Sequence, residues 1–117
     1  MKILLIDDNE TITEMMSKYL TAKGHQCSIS NDGRTGLTLI SEKKFDVVLL
    51  DLAMPDFTGI DVINNLHASG KIKENKVILF TASSVTDSEI ESLIKKGAHS
   101  CLKKPVKLAV LLQVMGG

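Results

Sequence analysis

The sequence has no excess of charge of either sign: fourteen lysines and arginines balance fourteen aspartates and glutamates. A globally basic surface that could neutralise many phosphates is therefore missing, and no nucleic-acid partner is expected. Long apolar runs are missing too. The longest, Leu108 to Leu112, has five residues, where a membrane-spanning helix needs about 20. The opening MKILLIDDNE places two aspartates where a signal peptide would continue its apolar core. No membrane partner is expected, and a cytoplasmic location is. Cysteine is scarce as well: Cys27 and Cys101 form no CxxC and no Cys/His cluster, which excludes a disulfide framework and a zinc site. There is no linker, repeat or low-complexity tract. What remains is 44% apolar and 24% charged, the composition of one globular domain spanning 1–117.

Short branched-apolar runs alternate with helix-like segments along the whole chain, the pattern of a parallel sheet with crossover helices. Ile3 to Ile6 reads as a buried strand. Ile12, Met15, Met16, Tyr19 and Leu20 then recur at helical spacing, from a start near Asp8 or Asn9 to a stop at Gly24. Gln26 to Ser30 alternates as an edge strand does, and Asn31-Asp32-Gly33 signals a turn before a helix through Leu37 and Ile40. Val47 to Leu50 is the most apolar strand and should be central; a loop with Pro55 and Gly59 leads to a helix using Val62, Ile63 and Leu66. Val77 to Phe80 makes a fourth strand. Thr86-Asp87-Ser88-Glu89 has capping-box spacing ahead of a helix ended by Gly97. Ser100 to Leu102 makes the fifth strand and Val106 to Met115 a short last helix. Right-handed crossovers make this an α/β, doubly wound five-stranded sheet with helices on both faces. Ligands of such sheets bind beyond the carboxyl ends of the strands.

Those ends carry Asp7 and Asp8, Asp51, Thr81, and Lys103 with Lys104, each directly after an apolar run. Three close carboxylates raise one another's pKa unless a cation joins them. Oxygen-only donors in a partly solvated position suit Mg²⁺. With a lysine and a hydroxyl alongside, the set reads as a phosphoryl site: Lys104 neutralises charge, Thr81 donates a hydrogen bond, and Asp51, ending the central strand, is the nucleophile. The plain alternative is that Asp8 or Asp51 merely caps the following helix; four strand ends with complementary chemistry weigh against it. His25, His67 and His99 are scattered with no metal-ligand spacing. Met15 and Met16 read as core, and Lys95-Lys96 as a solvated helix end.

ILLIDDNE, VVLLDLAMPDFTGIDV, VILFTAS and CLKKPV together resemble the receiver domain of two-component response regulators, similar in size to the stand-alone chemotaxis type. The likeness implies a flavodoxin-like fold with strand order 2-1-3-4-5. It implies Asp51 as the phosphoacceptor, and a Mg²⁺ site of Asp8 directly, Asp7 through water, Asp51 and the Ala53 carbonyl. Thr81 matches the switch hydroxyl, with Ala82 beside it in the phosphoryl-binding segment. Lys104 matches the lysine of a Lys-Pro pair, so its bond to Pro105 is a candidate cis peptide. The implied partners are a sensor histidine kinase or a phosphotransfer protein, which donates the phosphoryl group, and an unknown output protein.

Departures from the family pattern are equally informative. Cys101 stands where the family commonly has a switch aromatic, and Ala53 and Ser83 are small at positions that tune access of hydrolysing water. Arg, Asp and Glu are missing from the last helix, which lacks the charged pairing of one group of DNA-binding regulators. Leu108, Leu111, Leu112 and Met115 form its core stripe, leaving Val110 and Val114 as a homodimer or partner face. A haloacid-dehalogenase-like phosphatase would need Asp-x-Asp after a strand, and neither Asp7-Asp8-Asn9 nor Asp51-Leu52-Ala53 supplies it. A flavin or nucleotide carrier would need a phosphate-cradling loop where Asp7 and Asp8 stand. Lastly, a pseudo-receiver would not need the full acid, hydroxyl and lysine set.

Overall fold

The computed structural model describes residues 1–82 and 85–116. The order is β1 (Lys2–Ile6), α1 (Glu10–Ala22), β2 (Gln26–Ser30), α2 (Gly33–Glu42), β3 (Val47–Asp51), α3 (Gly59–Ser69), a 3₁₀ turn (Lys71–Glu74), β4 (Val77–Thr81), α4 (Asp87–Lys95), β5 (Ser100–Lys103) and α5 (Leu108–Met115). The strands form one parallel sheet in the order β2-β1-β3-β4-β5. β3 lies at the centre and is buried along its whole length. A strand covered on both faces has no polar side to show, which is why it reads as a continuous apolar run.

Alternate residues serve two cores. Ile3, Leu5, Val47, Leu49, Ile78 and Phe80 pack on Met16 and Leu20 of α1 and Leu111 and Met115 of α5. Leu4, Ile6, Val48, Leu50 and Leu79 face Ile40 of α2, Val62, Ile63 and Leu66 of α3, and Leu93 of α4. Register aligns the carboxyl ends: Ile6 pairs with Leu50, Asp51 with Phe80 and Thr81 with Lys103.

Side-chain caps start four helices. Asn9, Asp32, Thr58 and Thr86 accept from the backbone N–H of Ile12, Thr35, Asp61 and Glu89 respectively. The helix start expected near Asp8 or Asn9 is capped by Asn9, and α3 is capped by Thr58, so neither Asp8 nor Asp51 is the cap of the helix that follows it. A full reciprocal capping box sits at Thr58 and Asp61, which the sequence reading did not single out. Gly24 and Gly97 end their helices at φ of 93° and 120°, a region that suits glycine.

Three expectations need correction. Met15 is 56% exposed whereas Met16 is buried, because neighbours on a helix point about 100° apart and the core stripe runs through Ile12, Met16 and Leu20. α5 begins at Leu108 rather than Val106, after an extended Lys107. Val114 packs against the core with Leu108 and Leu112, leaving Val110, 40% exposed, as the exposed valine of α5. A single exposed valine is ordinary surface. Cys27 and Cys101 are free thiols on opposite edge strands.

Candidate functional site

β1, β3, β4 and the chain after β5 deliver their terminal residues to one end of the sheet. Asp7 follows β1 and is 4% exposed; Asp51 closes β3 and is 2% exposed. Asp8 stands open to solvent beside them. One carboxylate oxygen from each of Asp7, Asp8 and Asp51 lies within 4.8 Å of the others. Lys104 reaches in from beyond β5, with Nζ 3.3 Å from Asp51 Oδ1 and 3.4 Å from Asp7 Oδ2. Its position is held by the backbone, since the Lys104 N–H donates to the Thr81 carbonyl at 2.8 Å. The Lys104–Pro105 peptide is cis. Lys103 is exposed and takes no part in this set.

Backbone amides orient two of the carboxylates. Asn9 N–H donates to Asp7 Oδ1 at 3.0 Å and Ala53 N–H to Asp51 Oδ1 at 3.2 Å. Thr81 is fully buried, and its hydroxyl donates to the Ala82 carbonyl at 3.0 Å. Cys101 is half-buried against the α2–α4 side of the sheet. Ser83 lies outside the described residues.

The electrostatics are those of an overloaded acidic pocket. Burial pushes the Asp7 carboxyl above its usual range and the Asp51 charge adds to this, against the opposing pull of Asn9 N–H and Lys104. On Lys104, burial acts downward, but the carboxylates of Asp51 and Asp7 outweigh it and leave the ammonium above its ordinary value. An isolated ion pair would depress its acid. Here one ammonium is shared by two buried carboxylates with a third nearby, so negative charge is in excess. Converging oxygen donors, with no nitrogen or sulfur ligand among them, fit a hard divalent cation such as Mg²⁺.

A family model described as the response regulator receiver domain matches residues 3–115. The chain belongs to this family. The receiver is 36% identical over 96% of its length to the probable transcriptional regulatory protein SilR of Salmonella typhimurium, covering 48% of that protein. It is 32% identical over 98% of its length to the sensor histidine kinase RcsC of the same species, covering 12% of it. The receiver thus spans about half or less of these relatives. Among solved structures, chemotaxis protein CheY4 of Vibrio cholerae superposes with a TM-score of 0.85 at 25% identity, covering 97% of the receiver and 94% of CheY4. Response regulator TrrA of Thermotoga maritima, in complex with Mg²⁺ and BeF, gives 0.81 at 27% identity, covering 96% and 93%. The receiver is a module of a two-component phosphorelay, and such domains accept phosphate from histidine kinases.

Two residues that shape this site were not singled out as such from the sequence. A Cβ at Gly59 would overlap the Asp51 carbonyl oxygen and stand 2.7 Å from Leu52 Cα, so glycine lets the start of α3 close onto the end of β3. Asn31, read only as part of a turn, donates to the Asp7 carbonyl at 2.8 Å. Neither signal exists locally, because each depends on a contact between distant segments. Beside Lys104, an apolar recess of about 450 Å³ is lined by Ile12, Met15, Phe80, Pro105, Val106 and Leu108. The three histidines stay apart: His25 meets the amino terminus, His67 the Lys96 carbonyl and His99 the Ser100 hydroxyl.

Proposed function

We propose that Asp51 accepts the phosphoryl group from a phosphohistidine of a histidine kinase or phosphotransfer protein, in a site completed by Mg²⁺. The observation that carries this reading is the buried Asp51 carboxylate at the end of the central strand, held 3.3 Å from Lys104 Nζ and grouped with Asp7 and Asp8. A carboxylate oxygen of Asp51 attacks phosphorus, the P–N bond to the donor imidazole breaks, and its electron pair leaves with the ring nitrogen, which takes a proton. The product is an acyl phosphate on Asp51. Asp7, Asp8, Asp51 and the Ala53 carbonyl would hold the ion. Mg²⁺, when bound, supplies charge neutralisation for the phosphoryl oxygens.

Lys104 is already placed to neutralise a phosphoryl oxygen once Asp51 carries one. The Thr81 hydroxyl, now donating to the Ala82 carbonyl, has a better acceptor in the phosphoryl group, and its turn toward Asp51 would carry the signal through the β4–α4 segment. With Cys101 in place of an aromatic, that movement proceeds without a ring to follow it. The module catalyses its own loading and unloading and turns over no external substrate. It acts as one domain in the cytoplasm, on an output protein that its surface does not name.

Incubation with a small phosphodonor and Mg²⁺, followed by intact-mass measurement, tests the assignment. The parent gains one phosphoryl group, Asp51→Asn gains none, and Lys104→Ala gains it at least tenfold more slowly, in line with the loss of a charged transition-state partner. Labelling that persists unchanged in Asp51→Asn would overturn the site.

A further inference from the structure

We propose that Asn31, in the turn between β2 and α2, is a positioning residue for the cation-binding carboxylates, acting through the backbone of Asp7. The inference rests on the Mg²⁺ site of the proposed function and extends it to a residue on a separate segment.

The turn that carries Asp7, Asp8 and Asn9 leaves the sheet between β1 and α1; the Asn9 carbonyl accepts from Thr13 N–H at 3.1 Å within α1, whereas the Asp7 carbonyl is held by a separate segment. Asn31 provides that hold. Its Nδ2 donates to the Asp7 carbonyl at 2.8 Å and to Thr13 Oγ1 at 3.2 Å. The orientation of the amide is unambiguous, because a backbone carbonyl can only accept and must face the nitrogen. Thr13, buried within α1 at 2% exposure, uses its own proton on the Glu10 carbonyl at 3.1 Å. A continuous chain of donors therefore runs from Asn31 through Thr13 into the first turn of α1, and a branch fixes the peptide between Asp7 and Asp8.

The β2 side is anchored just as firmly. Asp7 N–H donates to the Ser30 carbonyl at 3.1 Å, and the hydroxyl of Ser30, itself buried, donates to the Asp32 carbonyl at 2.7 Å. Asp7 is thus held through both its N–H and its C=O by consecutive residues, Ser30 and Asn31. Its carboxylate is fixed separately by Asn9 N–H. The consequence concerns Asp8 above all. Asp8 is exposed and, among the described residues, its carboxylate has no hydrogen bond or ion pair that would aim it, so its direction is set by the peptide Asn31 holds. Groups that orient metal-binding residues from behind typically change affinity by about 10- to 100-fold when removed.

Mg²⁺ titration by calorimetry of the parent, Asn31→Ala, Asn31→Leu and Thr13→Val, with thermal unfolding of each protein in chelator, tests the proposal. Asn31→Leu matches the size of asparagine and guards against a cavity effect in Asn31→Ala. Both Asn31 variants are expected to bind Mg²⁺ about tenfold more weakly while still unfolding cooperatively. Thr13→Val should weaken binding in the parent background and add nothing in Asn31→Ala, since the two side chains act as one chain. Mg²⁺ affinity within twofold of the parent in a folded Asn31 variant would overturn the positioning role, even if the unfolding midpoint fell. Asp8→Ala serves as the control: no Mg²⁺ binding by the parent would overturn the metal site itself, whereas binding that is lost in Asp8→Ala and kept in the Asn31 variants would overturn only the present inference.

Discussion

Adjacent aspartates at the end of β1 meet opposite surroundings. Asp7, directly after β1, is enclosed by the neighbouring segments at 4% exposure, while Asp8, one residue further out, faces water. Burial and the Asp51 charge hold the Asp7 carboxyl above its usual range, which means that its ionised form opposes folding. Such a group adds stability below its unfolded value, and that stability is lost as pH rises through the folded value. Asp7→Asn removes the cost while leaving an oxygen for Asn9 N–H. In chelator at neutral pH it should unfold a few degrees above the parent, at about 4 °C per kcal/mol in a domain of this size. A midpoint at or below that of the parent would contradict the account. Gly59 shows the converse, a residue whose contribution is the side chain it lacks beside the Asp51 carbonyl.

Helices here are started by specific oxygens, and the clearest case is α2. Asp32 accepts the Thr35 N–H at 2.7 Å, and that bond is the main reason its carboxyl titrates below the ordinary range. A depressed value means stability that is present above the unfolded pKa and lost as pH falls through the folded one. Asp32→Ala should therefore cost about 1 kcal/mol at neutral pH, measured by urea unfolding. The gap between parent and variant should narrow as pH falls from about 5 toward about 3; a gap that stays constant would show that the carboxylate does not act as the cap. The α5 helix illustrates a different element-scale rule. Its apolar periodicity is broad enough to accommodate either a narrow or a wide buried stripe, and contact with the sheet selects the wide one by taking in Val114.

Across the whole molecule, balanced charge conceals a strong polarity. Every helix runs antiparallel to the strands, so helix starts and strand ends share one end of the domain. Asp7, Asp8, Glu10, Asp32, Asp51, Asp56, Asp61, Asp87 and Glu89 gather there, with Arg34, Lys103, Lys104 and Lys107 as the cations nearby. Lys2, Lys23, Lys43, Lys44, Lys71, Lys73, Lys76, Lys95 and Lys96 lie toward the other end, with Glu42, Asp46 and Glu74. Lysines at helix ends and acids at helix starts also complement the helix dipoles. Among the described residues, the ion pairs are those of Lys104 with Asp7 and Asp51. The domain extends 27 to 34 Å, well beyond a Debye length of about 8 Å at physiological salt, so each end presents its own charge. The protein should bind both cation and anion exchangers at pH near its pI of 6.8 in dilute buffer and elute from both with salt. Passage through either column unretained would refute the polarity.

What the sequence determined by itself was whatever local pattern encodes: five apolar runs as strands, glycine stops, and acid, hydroxyl and lysine directly after those runs, where any parallel sheet must bring them together. A resemblance carried by four such segments supplied the strand order. Tertiary structure decided the relations between distant segments. It sorted Asp7 from Asp8 and Met16 from Met15, drew Val114 into the core, placed Gly59 against the Asp51 carbonyl, and set Asn31 on the backbone of Asp7, 24 residues away. Periodicity states which positions share a face. Only packing states what that face touches, because burial and hydrogen bonding depend on which partners the folded chain brings within a few ångströms.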